Sequence, residues 1–121
     1  IYKSNKFCYS SLYKSMTIDE IKTKALPLLL RSGAEFAAVF GSAARGELTK
    51  KSDIDILVRF KPAVEAELSL LDHIGIAQEL EDILGRKVDL ISEHTLKPAV
   101  APYVKQDLTL LYGKVQRPDL L

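Results

Sequence analysis

From Asp53 to Phe60 the chain reads Asp-Ile-Asp-Ile-Leu-Val-Arg-Phe, and its even-numbered positions Ile54, Ile56, Val58 and Phe60 are all apolar. Successive side chains of a strand point to opposite faces, so these four face a core while Asp53 and Asp55 share the other face. That alternation commits the chain to a sheet, and it commits the sheet to carrying two carboxylates side by side. Pro62 closes the run, since it has no N–H to give to a ladder.

The remaining elements follow from period and punctuation. Thr17 to Arg31 reads as a helix: Thr17 and Glu20 make a capping-box pair, and Ile18, Ile21, Ala25, Leu28 and Leu29 form a stripe. Pro27 predicts a kink or break, and Gly33 a C-terminal cap. Phe36 to Phe40 reads as a buried strand ended by Gly41, and Ser42 to Glu47 as a turn opening a short helix. A second long helix is expected from Leu68 to Leu84, with Leu70, Leu71, Ile74, Ala77, Leu80, Ile83 and Leu84 on one side and Gly85 after it. Lys87 to Ile91 is a third strand with Val88 and Leu90 inward. Leu96 to Leu111 reads as a last helix, burying Leu96, Val100, Val104, Leu108 and Leu111 and stopped by Gly113. The alternation of helices and strands predicts an α/β (α+β) domain, a small mixed β-sheet backed by helices.

A chain of 121 residues is one ordinary domain, and 47% hydrophobic residues suffice for a core. Ile1 to Ser15 shows no period, so residues 1–15 are expected to be a non-native or disordered extension, with Met16 as the natural start. The domain is expected over 16–113, with a loose tail over 114–121. Seventeen basic against 16 acidic residues leave no strong field of either sign, which argues against a non-specific nucleic-acid binder. One cysteine, Cys8, allows neither an internal disulfide nor a cysteine zinc site, and suits a reducing cytoplasm. No apolar run approaches the roughly 20 residues that cross a bilayer.

Chemistry concentrates in Gly41-Ser42-Ala43-Ala44-Arg45-Gly46 and Ser52-Asp53-Ile54-Asp55. A strand ending in Gly-Ser and turning into a helix leaves outward N–H groups that seat phosphate oxygens. Asp53 and Asp55 on one strand face would repel unless a cation sat between them, and hard oxygen ligands suit Mg²⁺. Asp89, opposite in direction to Val88 and Leu90, is a third candidate carboxylate. Taken alone, a Gly-Ser turn or an Asp-x-Asp pair is more often structural; the joint spacing and strand placement point to a metal and nucleotide site. Arg45 reads either as a ligand of a phosphate or of the partner, or as a local salt bridge that caps the turn. Lys50 and Lys51 read as a solvated loop that could steer a triphosphate, and His73 and His94 as structural or exposed. Tyr103 and Tyr112 read as core or partner-facing, and Cys8 has no assignable role.

Gly41-Ser42, ten residues, then Asp53-x-Asp55 resembles the signature of the polymerase-β-like nucleotidyltransferase superfamily. The fuller strings Phe40 to Gly46 and Ser52 to Val58 resemble its minimal (MNT) branch in bacteria and archaea, and the likeness runs from Thr17 to Tyr112. The resemblance implies that fold, with Gly41 and Ser42 on the nucleotide; Arg45 stands beside them as a candidate nucleotide ligand. It implies Asp53, Asp55 and Asp89 as catalytic metal ligands for two Mg²⁺ ions, with ATP as substrate. It further implies a hetero-oligomeric antitoxin that adenylylates a tyrosine of a HEPN ribonuclease toxin. The alternatives are an antitoxin that masks its HEPN partner without chemistry, and transfer to a small molecule such as an aminoglycoside. The chain's size leaves no segment for an elaborate acceptor, which favours a separate protein as acceptor.

Overall fold

The structure is a computed structural model that describes residues 16–49 and 52–121. The first helix, α1 (Ile18–Arg31), starts at the expected capping box: the Glu20 N–H donates to Thr17 Oγ1 at 3.1 Å and the Thr17 N–H to Glu20 Oε1 at 3.0 Å. It runs through Pro27 without ending. Strands β1 (Ala34–Phe40), β2 (Ile54–Phe60), β3 (Val88–Ser92) and β4 (Thr109–Tyr112) form one sheet in the order β3-β2-β1-β4. β1 is antiparallel to both β2 and β4, whereas β2 and β3 are parallel, so the sheet is mixed. The parallel crossover from β2 to β3 carries a short helix α2 (Pro62–Glu65) and a long one, α3 (Leu70–Leu84). After β3 come a 3₁₀ turn (Glu93–Thr95) and helix α4 (Ala101–Asp107).

The sheet is covered on both faces. Ile54, Ile56, Val58 and Phe60 are buried, as their alternation predicts, against Ile21 and Leu28 of α1 and Ile76 and Leu80 of α3. On the other face Leu57 joins Phe36 and Ala38 against Ala101 and Val104 of α4. Two-sided burial explains why Phe36 to Val39 reads as a continuous apolar run.

Several expectations need correction. No helix forms over Ser42–Glu47; residues 41–46 make a turn closed by Arg45 N–H to the Gly41 carbonyl (3.2 Å) and Glu47 N–H to that of Ser42 (2.8 Å). Gly46, at φ +71°, reverses the backbone before a second helical turn can start. The side of α3 that meets the sheet is Ile76, Leu80 and Leu84, so Leu70, Leu71, Ile74 and Ile83 point away and are exposed. The last helix is half the expected length. Pro102 fits only its first turn, and Leu108 turns extended so that Thr109–Tyr112 can pair with β1. Val100 is exposed as a result. Residues 114–121 pack back on the domain: Leu120 is buried beside Phe36 and Leu57, and the Arg117 guanidinium donates to the Glu93 carbonyl at 2.7 Å. Among the described residues no helix is long and apolar enough to cross a membrane.

Candidate active site

Asp55 is the hinge of the site. In the antiparallel register it faces Phe40, the residue before Gly41, and in the parallel register it faces Asp89. Three adjacent strands therefore bring Gly41, Asp55 and Asp89 into one row across the sheet. Asp53 stands one residue before β2 and is exposed, as is Asp89; Asp55 is half-buried. Burial, and then the charges of Asp89 and Asp53, push the Asp55 carboxyl up to about 6, with Arg45 opposing. Asp89 and Asp53 thus both act on Asp55. Uncompensated negative charge of this kind is what a bound divalent cation relieves. The donor set is all oxygen and fits Mg²⁺ in kind, although among the described residues no three acidic, histidine or cysteine side chains converge into a finished metal site.

Gly41 is required here for a reason the sequence did not show. Its φ is +71°, and a Cβ placed on it would run into Asp55 Oδ2 closer than real Cβ contacts allow. The bare backbone makes room for the carboxylate as well as for a ligand. Beyond it, the N–H groups of Ser42, Ala43 and Ala44 have no backbone acceptor among the described residues, while those of Arg45, Gly46 and Glu47 are used inside the turn. The turn leaves donors unclaimed by backbone at the strand end, without a helix behind them.

Arg45 makes the local ion pair expected of it and a second, distant one. Its guanidinium donates to Glu47 Oε1 at 2.8 Å and to Asp107 Oδ2 at 2.6 Å, tying the turn to the end of α4. Between turn and helix lies an open cleft of about 290 Å³, with Gly41, Arg45 and Asp55 on one wall and Val100, Tyr103 and Gln106 on the other. Val100 and the α4 residues Tyr103 and Gln106 are site residues that the sequence does not announce: Asp107 meets Arg45 across 62 positions of sequence, and no local spacing records that. Ser42 lies partly buried in the same turn.

Neither histidine lines the cleft between the turn and α4. His73 Nε2 lies 2.8 Å from the Leu90 carbonyl and His94 Nε2 is 3.5 Å from Glu65, so both have structural partners. Tyr112 is half exposed on β4. Cys8, Lys50 and Lys51 lie outside the described residues.

The family model described as a nucleotidyltransferase domain matches residues 19–110. A Methanocaldococcus jannaschii protein, provisionally assigned as a protein adenylyltransferase, is 45% identical over 69% of this chain and 85% of its own length. The protein adenylyltransferase MntA of Thermococcus cleftensis is 37% identical over 77% of this chain and 94% of its own. Among solved structures, one chain of a toxin–antitoxin crystallised with AMP-PNP superimposes with a TM-score of 0.66 at 26% identity, covering 81% of this chain and 77% of that one.

Proposed function

Because this chain belongs to the nucleotidyltransferase domain family, we propose that it moves AMP from ATP onto a hydroxyl of a partner protein, a tyrosine of a HEPN-type ribonuclease toxin, and so serves in the cytoplasm as that toxin's antitoxin. The row Gly41, Asp55, Asp89 carries the reading, since it sets a phosphate seat beside a carboxylate that its acidic neighbours repel. The adenylyltransferase relatives support the reaction, and the toxin–antitoxin likeness supports the partner class.

In this reading the N–H groups of Ser42 to Ala44 take phosphate oxygens of the triphosphate, and Arg45 adds positive charge at the same edge. Asp53, Asp55 and Asp89 would hold Mg²⁺, which when bound neutralises the triphosphate and lowers the pKa of the acceptor hydroxyl. The tyrosyl oxygen attacks the α-phosphorus in line, the bond from that phosphorus to the bridging oxygen of the β-phosphate breaks, pyrophosphate leaves, and the phenolic proton passes to water. The product is a bulky phosphodiester bearing one negative charge, placed where a ribonuclease must admit RNA.

One observation favours a second reading. Leu70 and Leu71 are 75% and 78% exposed, an apolar surface that could dock a partner and mask it without chemistry. Intact mass decides between the two. The chain, ATP, Mg²⁺ and the purified toxin are expected to yield toxin heavier by one or more AMP units, with no gain for Asp53→Asn. Silencing of the toxin with no mass change, and equally by Asp53→Asn, would replace transfer with masking.

A further inference from the structure

We infer that the exposed face of α4 is the nucleobase subsite, in which the Tyr103 ring stacks on the base and the Gln106 amide selects adenine over guanine. This rests on the reading of the Gly41–Asp55 wall as the phosphate side of a nucleotide site. The sheet order supplies the direction. Gly41 on β1, Asp55 on β2 and Asp89 on β3 lie in sequence across the sheet. With the β- and γ-phosphates on the turn after β1, the α-phosphorus falls near Asp55, and in-line attack brings the acceptor from the Asp89 side. The cleft lies on the opposite side, between the turn and α4. It adjoins the phosphate seat and is not lined by Asp89, so it can take the part of the nucleotide that lies off the line of attack.

Its size and lining agree. About 290 Å³ is at the lower edge of small-molecule pockets, room for a nucleoside once the phosphates lie outside it. Tyr103 is 73% exposed, its ring making no contact with another aromatic or cation among the described residues, and Val100 beside it is 41% exposed. An aromatic ring left open on a rigid helix face is the platform that bases stack on. α4 is rigid in this sense, because Ala101 and Val104 are buried against the sheet and Asp107 is held by Arg45. Gln106, one turn along from Tyr103, offers one acceptor and paired donors. Adenine presents a donor and an acceptor on its N6/N7 edge and matches both, whereas guanine presents two acceptors there.

The test measures the binding of ATP and of inorganic tripolyphosphate, with Mg²⁺, to the full chain by calorimetry. Tyr103→Ala is expected to weaken ATP about tenfold and to leave tripolyphosphate unchanged, because only the stacking surface is removed. Tyr103→Phe keeps the ring and should restore ATP affinity. Gln106→Ala should bring the affinities for ATP and GTP together. ATP affinity unchanged in Tyr103→Ala, or an equal loss for both ligands, overturns the subsite while leaving the phosphate seat standing. Failure of the unaltered chain to bind tripolyphosphate or ATP would overturn the phosphate reading itself, and the subsite with it.

Discussion

Asp55 and Gly41 constrain each other, and each constraint has a measurable consequence. The Asp55 carboxyl titrates at about 6 in the folded chain, against an ordinary value of 3.8. A folded-state pKa above the unfolded one means that the folded state binds the proton more tightly. The metal-free protein therefore carries the full penalty above pH 6, loses it as pH falls through 6, and is free of it below about 4. Its melting temperature is expected to rise between pH 7.5 and 5, and Asp55→Asn should flatten that rise while abolishing transfer. Mg²⁺ should suppress it too, by supplying the missing positive charge; a melting temperature flat over this range in the metal-free protein would contradict the account. Gly41→Ala tests the other partner. A left-handed alanine costs about 1–2 kcal/mol in backbone strain, and its Cβ displaces the Asp55 carboxylate. Both stability in urea and transfer rate should fall, and tripolyphosphate affinity should fall less than the rate. At this scale the carboxylates were legible, because a period of two places 53, 55 and 89 without any knowledge of the fold. The steric bond between Gly41 and Asp55 was not, since it depends on which strand lies beside β1.

Strand periods survived into the structure better than helix periods did. Leu96, Val100, Val104, Leu108 and Leu111 recur at helical steps, yet only residues 101–107 are helical and 109–112 form β4. Edge pairing with β1 satisfies backbone groups that a continued helix would leave unsatisfied on β1, and nothing local in the sequence announces that. The short β4 then leads into Gly113, at φ +78°, whose missing Cβ admits the backbone of Glu35 and Phe36. Since backbone cannot step aside as a side chain can, Gly113→Ala should cost several kcal/mol, about 2–4 by analogy with other strained or overpacked sites. A urea melt reads this directly, and a loss below about 0.5 kcal/mol would mean that β4 is not pinned against β1 as described. The apolar stripe of α3 shows the same limit. Its eight apolar positions outnumber those that the sheet can cover, so Ile76 (outside the expected stripe), Leu80 and Leu84 are buried and Leu70 and Leu71 are left outside.

Across the whole molecule, the second face of the sheet links the chain's end to its active site. Glu93, only 3% exposed, lies 2.9 Å from the Arg59 guanidinium and takes the Gln116 N–H at 3.3 Å, while its own carbonyl receives Arg117. Arg59 in turn reaches Glu35 at 2.7 Å and the Lys114 carbonyl at 3.1 Å. Buried charge of this kind holds only while its partners stay in place, so the tail is part of the fold. Polar residues at 114, 116 and 117 gave it the look of a loose end, because their partners lie on β2 and the turn after β3. Leu120 closes the same layer that seats Ala101 and Val104 of α4. Deleting residues 114–121 uncovers that layer: a lost buried leucine alone is worth about 2–3 kcal/mol, and Glu93 loses two hydrogen-bond donors besides. The melting temperature should fall by roughly 8 °C or more. α4 should loosen with it, so ATP affinity is expected to drop while tripolyphosphate, held by the turn after β1, binds nearly as before. Restoring the tail with Leu120→Ala separates the causes. If its melting temperature falls between those of the full and shortened chains, apolar closure and the Glu93 network both contribute; a shortened chain as stable as the full one would mean that the tail only rests on the surface.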